Sequence, residues 1–385
     1  MADHHYTGVG TRRSHRKSRN GCASCKRRRI KCDETKPQCS NCTKHAVSCD
    51  YPSPVSQSPM PTQLSPASST TVSGDELRGV EWGPITAELM HHWSTSTSCT
   101  LSEEPTLQTF MQVTVPHIAF GHEHVLHMIL AISALHLSRL RPDQERFYTE
   151  HGERHYQAGV TKAIPALSDL NEENCHSVFM FAALYNVCTL AKGPKKGEYL
   201  VFSDSGPAAL QILFQGILSV LSRYSVAVLD GPLAPLVRPG VIAAARTRNE
   251  LPSQEEDLLE YLSDRICQMN DSKEDQQIQD AAMEHLKLLF SSCYGIDGQK
   301  RRVEMQDIGV WWYRCTFGLT ALLQKSNHSA LAIVAHACIV LNEISEHWIM
   351  RGWIPHLLGG IYERMPLEYR CWIDEPLQQI GWIPG

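Results

Sequence analysis

The stretch CASCKRRRIKCDETKPQCSNCTKHAVSC, residues 22–49, holds six of the 14 cysteines of this 385-residue chain. Its cysteines follow the pattern C-x2-C-x6-C-x6-C-x2-C-x6-C, in which the half C-x2-C-x6-C occurs twice. The two halves are residues 22–32 and 39–49. This regular spacing predicts a small unit made of two halves with similar structures.

The cysteine spacing suits zinc. A C-x2-C pair on a short helical turn brings two sulfurs to one cation, and zinc binds four thiolates in a tetrahedron with bonds of about 2.3 Å. Six sulfurs complete two tetrahedra only if two sulfurs are shared, and the first cysteine of each half is the expected shared ligand. The predicted ligands are Cys22, Cys25, Cys32 and Cys39 for one zinc ion, and Cys22, Cys39, Cys42 and Cys49 for the other.

Two other uses of closely spaced cysteines fit the sequence less well. Disulfide frameworks belong to secreted chains, and residues 1–20 are polar and basic, without the apolar segment of a signal peptide. A zinc ribbon with one ion would leave two thiols without a role and would not explain the repeat. The interpretation with two zinc ions accounts for all six cysteines.

The two halves differ in charge between their second and third cysteines. The first half carries KRRRIK (residues 26–31) and the second carries TKHAVS (residues 43–48), so five of six residues are cationic in one and one of six in the other. A unit that only bound metal would not need this difference. The first half is therefore predicted to face a polyanion, because arginine forks suit guanine O6 and N7 and lysine suits phosphate.

The cysteine pattern resembles the fungal binuclear zinc cluster, a DNA-binding module of two short helix–loop halves. The resemblance implies that the partner is double-stranded DNA, and that basic residues near the end of the first helix read a CG-containing triplet in the major groove. Arg28 and Arg29 match those positions, whereas Lys26, Arg27 and Lys31 match phosphate contacts. It also implies a transcription factor in the nucleus, with the transcription machinery as a further partner, and not an enzyme.

Charge divides the chain in the same place. Residues 1–50 contain 12 Lys and Arg against 4 Asp and Glu, a formal charge of +8, and the rest contains 24 against 37, or −13. The two parts add to the net charge of −5. We expect a basic head on an acidic body, and DNA binding by the head should weaken with salt because neutralised phosphates release counterions.

The segments on either side of the cluster have little apolar content. Residues 1–21 are predicted to be a disordered basic arm that tracks phosphates or serves as a nuclear import signal. Residues 51–79 are rich in Pro, Ser and Thr and are predicted to be a disordered linker, because they lack the apolar surface that would offset the entropy of ordering. Five prolines in residues 51–74 leave no heptad pattern, so a homodimer would have to form through another part of the chain.

Residues 80–385 are predicted to form an all-helical regulatory domain. Apolar residues recur at the i, i+3, i+4, i+7 spacing of a buried helix face through residues 119–140. Similar patterns predict helices over residues 144–164, 171–191, 207–224, 253–269, 273–293, 306–324 and 328–347, with about ten helices in all. A strand is expected at residues 197–202, and no apolar run reaches the length of a membrane span.

A second resemblance covers most of the chain. The segments GHEHVLHMILAISALHLSRL (residues 121–140), ERHYQAGVTKAIPALSDL (residues 153–170) and residues 329–376 resemble the regulatory domain of the sterol uptake control proteins, a family of fungal zinc-cluster transcription factors. That resemblance implies a helical domain that binds a sterol or pathway metabolite and regulates sterol uptake. Shorter relatives instead regulate biosynthetic gene clusters, so we expect control of RNA polymerase II transcription of a secondary-metabolite cluster, with sterol regulation as the alternative.

Two further residue sets have side chains of the kinds that bind metals. The segment HEHVLH, with His122, His124 and His127, departs from the H-x-H-x-D-H metal motif at Leu126 and opens a helix, so its histidines are predicted to lie on the helix surface or to cap it. The cysteines outside the cluster lack C-x2-C spacing and are predicted to be small buried hydrophobes. They are Cys99, Cys175, Cys188, Cys267, Cys293, Cys315, Cys338 and Cys371.

Overall fold

The computed structural model describes residues 21–28, 30–51, 83–200, 202–238, 251–269, 271–294, 298–315 and 318–384. The chain divides into two compact units, Met1–Gly74 and Asp75–Gly385. The predictions for the basic arm, for Arg29 and for most of the linker concern residues outside those described.

The N-terminal unit contains two short helices, α1 (Ala23–Arg27) and α2 (Ser40–Lys44). Each helix directly follows the first cysteine of its half. The buried side chains at its centre are cysteines, with Cys49 and Tyr51 packed against them. The predicted pair of helix–loop halves is confirmed.

The first part of the C-terminal unit is organised around one long helix. In chain order the helices are α3 (Pro84–Thr95), α4 (Pro105–Thr109), α5 (Val115–Gly121), α6 (Glu123–Leu140), α7 (Glu145–Ser168) and α8 (Cys175–Ala191). Helix α6 packs against α3, α5, α7 and α8, and it is buried along most of its length. A helix that is surrounded in this way must be apolar on nearly every face, which agrees with its sequence EHVLHMILAISALHLSRL.

A hairpin and a kinked helix follow. Strands β1 (Glu198–Tyr199) and β2 (Phe202–Ser203) pair in an antiparallel register, with Tyr199 opposite Phe202. The strand expected at residues 197–202 is therefore a hairpin of two short strands. Helix α9 (Ala209–Asp230) packs against α8 and departs from helical geometry at Tyr224.

The rest of the C-terminal unit surrounds a second apolar helix. Its helices are α10 (Ser253–Cys267), α11 (Lys273–Ser291), α12 (Met305–Cys315), α13 (Leu319–Gln324), α14 (His328–Asn342), α15 (Trp353–Arg364) and α16 (Asp374–Ile380). Helix α14 is buried at most positions and packs against α11, α13, α15 and α16. Trp353 of α15 lies in the core around α14, and its Nε1 donates to the Leu190 carbonyl of α8 at 2.9 Å. His356 Nε2 of α15 donates to the Glu198 carbonyl of β1 at 2.9 Å.

The predicted all-helical body is confirmed, although several helix boundaries differ. Residues 119–140 form two helices, because His122 has an extended conformation with φ −141° and ψ 98°. Residues 306–324 also form two helices, and Gly318 between them has a φ of 90° that disfavours a side chain. Among the described residues, no helix is both long and apolar enough to cross a membrane.

The prediction that the cysteines outside the cluster are buried is correct for only some of them. Five are buried, namely Cys175, Cys188, Cys293, Cys315 and Cys338. Cys99, Cys267 and Cys371 are exposed, so the prediction of burial was wrong for them. Cys99 and Cys371 lie in short 3-10 helices, and Cys267 is the last residue of α10, so each lies at a turn or an end of a helix.

Candidate metal centre and nucleic-acid interface

Six sulfur atoms come together at the centre of the N-terminal unit. Two sets of four each lie within 4.8 Å of one another, and they coincide with the two ligand sets predicted from the sequence. The sets are Cys22, Cys25, Cys32 and Cys39, and Cys22, Cys39, Cys42 and Cys49. The two sulfurs common to both sets, those of Cys22 and Cys39, are 3.8 Å apart.

The distances between the sulfurs fit zinc. A tetrahedron with Zn–S bonds of about 2.3 Å has edges of roughly 3.8 Å between its sulfurs. The Cys25 and Cys39 sulfurs are 3.5 Å apart, those of Cys22 and Cys42 are 3.6 Å apart, and those of Cys22 and Cys32 are 3.9 Å apart. The six thiols therefore fit two tetrahedral ions that share an edge.

Each shared sulfur also caps a helix. Cys22 Sγ accepts a hydrogen bond from Cys25 N at 3.4 Å, and Cys39 Sγ accepts one from Cys42 N at 3.4 Å. The Cys25 N–H lowers the pKa of the Cys22 thiol, which favours the thiolate that a metal binds. The C-x2-C spacing therefore places the second sulfur of each pair one helical turn from the first.

The two halves share their backbone geometry beyond the helices. The Ile30 N–H donates to the Cys25 carbonyl at 3.2 Å, and the Val47 N–H donates to the Cys42 carbonyl at 3.1 Å. Corresponding residues are separated by 17 positions, as Cys22 and Cys39 are. The backbones of the two halves are therefore similar at these positions.

The loop between the halves is held by groups that the sequence pattern did not reveal. The Asp33 carboxylate accepts hydrogen bonds from the Ser40 hydroxyl at 2.5 Å and the Ser40 N–H at 3.2 Å, and the Ser40 hydroxyl lowers the pKa of Asp33. The Tyr51 hydroxyl donates to the Thr35 carbonyl at 3.1 Å and lies 3.5 Å from Cys32 Sγ. These contacts join residues that are far apart in sequence, so a local motif search does not find them.

The predicted DNA-contacting residues form an exposed basic face on the first half. Lys26, Arg27, Arg28 and Lys31 are all exposed, whereas Arg29 is outside the described residues. At the corresponding positions of the second half, Thr43, Lys44, His45 and Ser48 are also exposed, but only the lysine has a fixed positive charge. Two halves of similar geometry therefore present very different charges to the solvent.

Two of the three histidines near the start of α6 are buried, so the prediction of surface or capping positions was wrong for them. His124 and His127 are each 6% exposed. The His124 ring packs edge-on against Phe181 of α8, with ring centroids 5.8 Å apart, and His127 Nδ1 lies 2.9 Å from His155 Nδ1 of α7. The reason is that α6 has helices on several sides. His122 precedes α6 but its side chain makes no capping hydrogen bond.

These histidines also do not form a metal site of three ligands. Within the part of the chain that the structure describes, groups of three or more potential ligand side chains consist of the cluster cysteines alone. The described residues thus have one candidate metal centre, the cysteine cluster.

Comparison with known families agrees with this geometry. Residues 20–58 match the fungal Zn(2)-Cys(6) binuclear cluster domain, and residues 88–225 match the fungal specific transcription factor domain. The chain is therefore similar to the fungal Zn(2)-C6 transcription factors in two separate domains. The Zn(2)-Cys(6) domain binds two zinc ions, so the prediction of the cofactor is confirmed.

Individual Zn(2)-C6 relatives match parts of the chain. The Zn(2)-C6 fungal-type transcription factor afumD of Aspergillus fumigatus is 34% identical over 146 residues, which cover 35% of this chain and 36% of that protein. A Zn(2)-C6 fungal-type transcription factor of Gibberella zeae is 29% identical over 230 residues, 45% of this chain and 46% of that protein. Sterol uptake control protein 2 of Saccharomyces cerevisiae is 64% identical over 31 residues, 8% of this chain and 3% of that protein. The chain spans less than half the length of each of these relatives.

The buried pair of His127 and His155 predicts that acid destabilises the C-terminal unit. Burial lowers the pKa of His155 to about 4 and also lowers the pKa of His127, whereas an unfolded chain restores both to about 6.5. Between these values the unfolded chain binds more protons, so the free energy of unfolding falls as the pH falls below about 6.5. We expect the drop in Tm from pH 7.5 to pH 5.5 to be smaller in His155→Asn, measured by far-UV circular dichroism.

The matched control is His117→Asn, because His117 is an exposed histidine on α5. This variant should show the same drop in Tm as the unmodified chain. A His155→Asn chain with an unchanged drop would contradict the role given to the buried pair.

Proposed function

We propose that this chain is a nuclear, sequence-specific transcription factor whose zinc cluster binds a CG-containing element in double-stranded DNA. The observation that carries the proposal is the charge difference between two halves of similar backbone geometry. Four exposed cations lie on the first half, and the corresponding residues of the second half include a single lysine. A polyanionic partner explains this difference, and metal binding alone does not.

We assign the two ligand sets to two zinc ions, with Cys22 and Cys39 binding both. When bound, zinc cross-links thiolates that are far apart in sequence and so contributes folding free energy to this unit. The cysteines hold the two halves together, and the first half then presents its basic segment from a fixed support. On this assignment, each ion takes three ligands from one half and one from the other.

The assignment predicts different zinc contents for two cysteine variants. Cys22→Ser removes a ligand from both ions, so we expect the chain to lose both. Cys49→Ser removes a ligand from one set of four and leaves the other set complete, so we expect about one zinc ion per chain. Elemental analysis of purified chains, with the unmodified chain as the reference for two ions, measures both values. Equal zinc contents in the two variants would contradict a shared Cys22.

The basic residues are proposed to have two roles. Arg28 lies at the end of α1, and it and Arg29 are assigned to base edges, where a guanidinium can donate to guanine O6 and N7 together. Lys26, Arg27 and Lys31 are assigned to phosphates, which fix the position of the protein on the duplex without reading its sequence. The arginines assigned to base edges would thus provide specificity, and the residues assigned to phosphates would provide affinity.

A pair of lysine and arginine variants tests which half faces DNA. Arg27 and Lys44 occupy corresponding positions, both are exposed, and each substitution by alanine removes one positive charge. Arg27→Ala should weaken binding to all duplexes and reduce the slope of log K against log salt by about 0.9, because one phosphate contact is lost. Lys44→Ala should leave both quantities close to those of the unmodified chain.

Fluorescence anisotropy titrations at several salt concentrations measure both variants. Equal losses of affinity would mean that both halves approach the duplex. A loss confined to Lys44→Ala would place DNA on the second half and refute the proposal.

The proposed targets are genes of a secondary-metabolite cluster, transcribed by RNA polymerase II. The helical body is proposed to contact the transcription machinery or a pathway metabolite. The 31-residue match to Sterol uptake control protein 2 is much shorter than the C-terminal unit and gives little support for sterol binding there. The alignments of 146 and 230 residues are longer than the 74-residue N-terminal unit and so extend into the helical body, and those relatives have no sterol in their names.

Chromatin immunoprecipitation of the full chain in its fungal host tests the target assignment. We expect bound sites that contain a CG element next to a contiguous set of biosynthetic genes, and a Cys22→Ser chain is the control for binding that does not need the cluster. Occupancy of sterol uptake and biosynthesis genes would favour the sterol alternative. One CG element per site would indicate a monomer, and paired elements would indicate a homodimer.

A further inference from the structure

Two side-chain hydrogen bonds join the halves of the cysteine cluster in opposite directions. Asn41 Nδ2, on α2, donates to the Lys31 carbonyl at 2.7 Å. The Ser24 hydroxyl, on α1, donates to the Ser48 carbonyl at 2.6 Å. Asn41 and Ser24 occupy the same position within C-x2-C, and each acceptor directly precedes the last cysteine of the other half. The two bonds are therefore equivalent under the repeat.

The two acceptor residues end segments of very different charge. Lys31 ends the basic segment, residues 26–31, and Ser48 ends the corresponding segment, residues 43–48, which has one lysine. Within the basic segment, the Arg28 N–H donates to the Ser24 carbonyl at 3.1 Å, a bond inside the first half. The Asn41 amide instead fixes the far end of this segment to the second half.

The two bonds also differ in their exposure to solvent. Ser24 is 5% exposed, whereas the bond between Asn41 and Lys31 is exposed. Water can replace an exposed hydrogen bond at little net cost in free energy, whereas it replaces a partly buried bond, such as that from Ser24 to Ser48, less readily. The Asn41 bond is therefore expected to contribute little to the stability of the cluster, although it joins the Lys31 end of the basic segment to the second half.

We propose that Asn41 is a positioning residue for base recognition, which acts by holding the Lys31 end of the basic segment against the second half of the cluster. The inference rests on the proposed function, because it requires the basic segment to contact DNA. A bidentate contact between arginine and guanine needs both donors in a fixed geometry, and hydrogen bonds from supporting residues provide that geometry. Ser24 makes the equivalent bond to the segment that carries few charges, so its bond supports the cluster and not recognition.

Asn41→Leu tests the proposal in the full chain, because leucine is close to asparagine in size and has no donor. The probes are a CG-containing duplex that the unmodified chain selects from a random library, and the same duplex with the CG pairs changed to TA. We expect the ratio of the two Kd values to fall about three- to ten-fold, the effect of one hydrogen bond. The salt slope should not change, because the number of cations that contact phosphate is the same. Elemental analysis should still give two zinc ions per chain.

Two further variants serve as controls for this result. Ser24→Ala removes the equivalent bond and should keep the Kd ratio of the unmodified chain. Arg28→Ala removes a residue assigned to base edges and should lower the ratio, which shows that the assay detects a loss of base reading.

An Asn41→Leu chain that holds two zinc ions and keeps the full Kd ratio would overturn the proposal. If Asn41→Leu loses zinc, Asn41→Ala is judged by the same criteria, and loss of zinc from both would show that the amide serves the metal fold instead. An unmodified chain that selects no sequence from the library would refute the proposed function itself. Failure of the role proposed for Asn41 can therefore be distinguished from failure of the proposed DNA-binding function.

Discussion

The N-terminal unit depends on two sulfurs, those of Cys22 and Cys39, that belong to both groups of candidate metal ligands. Its helices are five residues long, and helices of that length are not stable in water alone. Its buried centre consists of cysteines, so an apolar core like that of the helical body is not available to it. Binding of metal by thiolates supplies the missing free energy. Because each set of four includes a sulfur from the other half, neither half completes a site by itself, and the two halves must fold together.

A repeated scaffold allows its two copies to take different roles. Metal binding requires the cysteines and the turns between them, and both halves keep these features. The residues between the second and third cysteines are free of that requirement because they are exposed, and the first half uses them to carry positive charge. The helical body follows another principle, in which apolar helices such as α6 and α14 are buried and the acidic residues lie around them. The two units are thus stabilised by different forces and carry opposite net charges.

The sequence predicted the features that depend on spacing along the chain, and it missed those that depend on contacts between distant segments. Both cysteine sets were predictable because a C-x2-C pair fixes the distance between its sulfurs through one helical turn. The end of a helix just before His122 was not predictable, because the apolar periodicity continues across the break. Burial of His127 follows from its contact with α7, and the bond from Asn41 to Lys31 crosses between halves. Neither contact has a signature in the local sequence.

The contacts between the residues just before α15 and the core around α6 have a consequence for synthesis on the ribosome. Trp348 Nε1 donates to the Thr100 hydroxyl at 3.0 Å across 248 residues, and Ile349 is part of the same apolar core as α6. The first helices of the body therefore leave the exit tunnel long before the residues that complete their packing, whereas the cysteine cluster has all its ligands once residue 49 has emerged. Nascent chains should hold metal early and keep apolar helices uncovered for much of translation, the period in which chaperones are needed most.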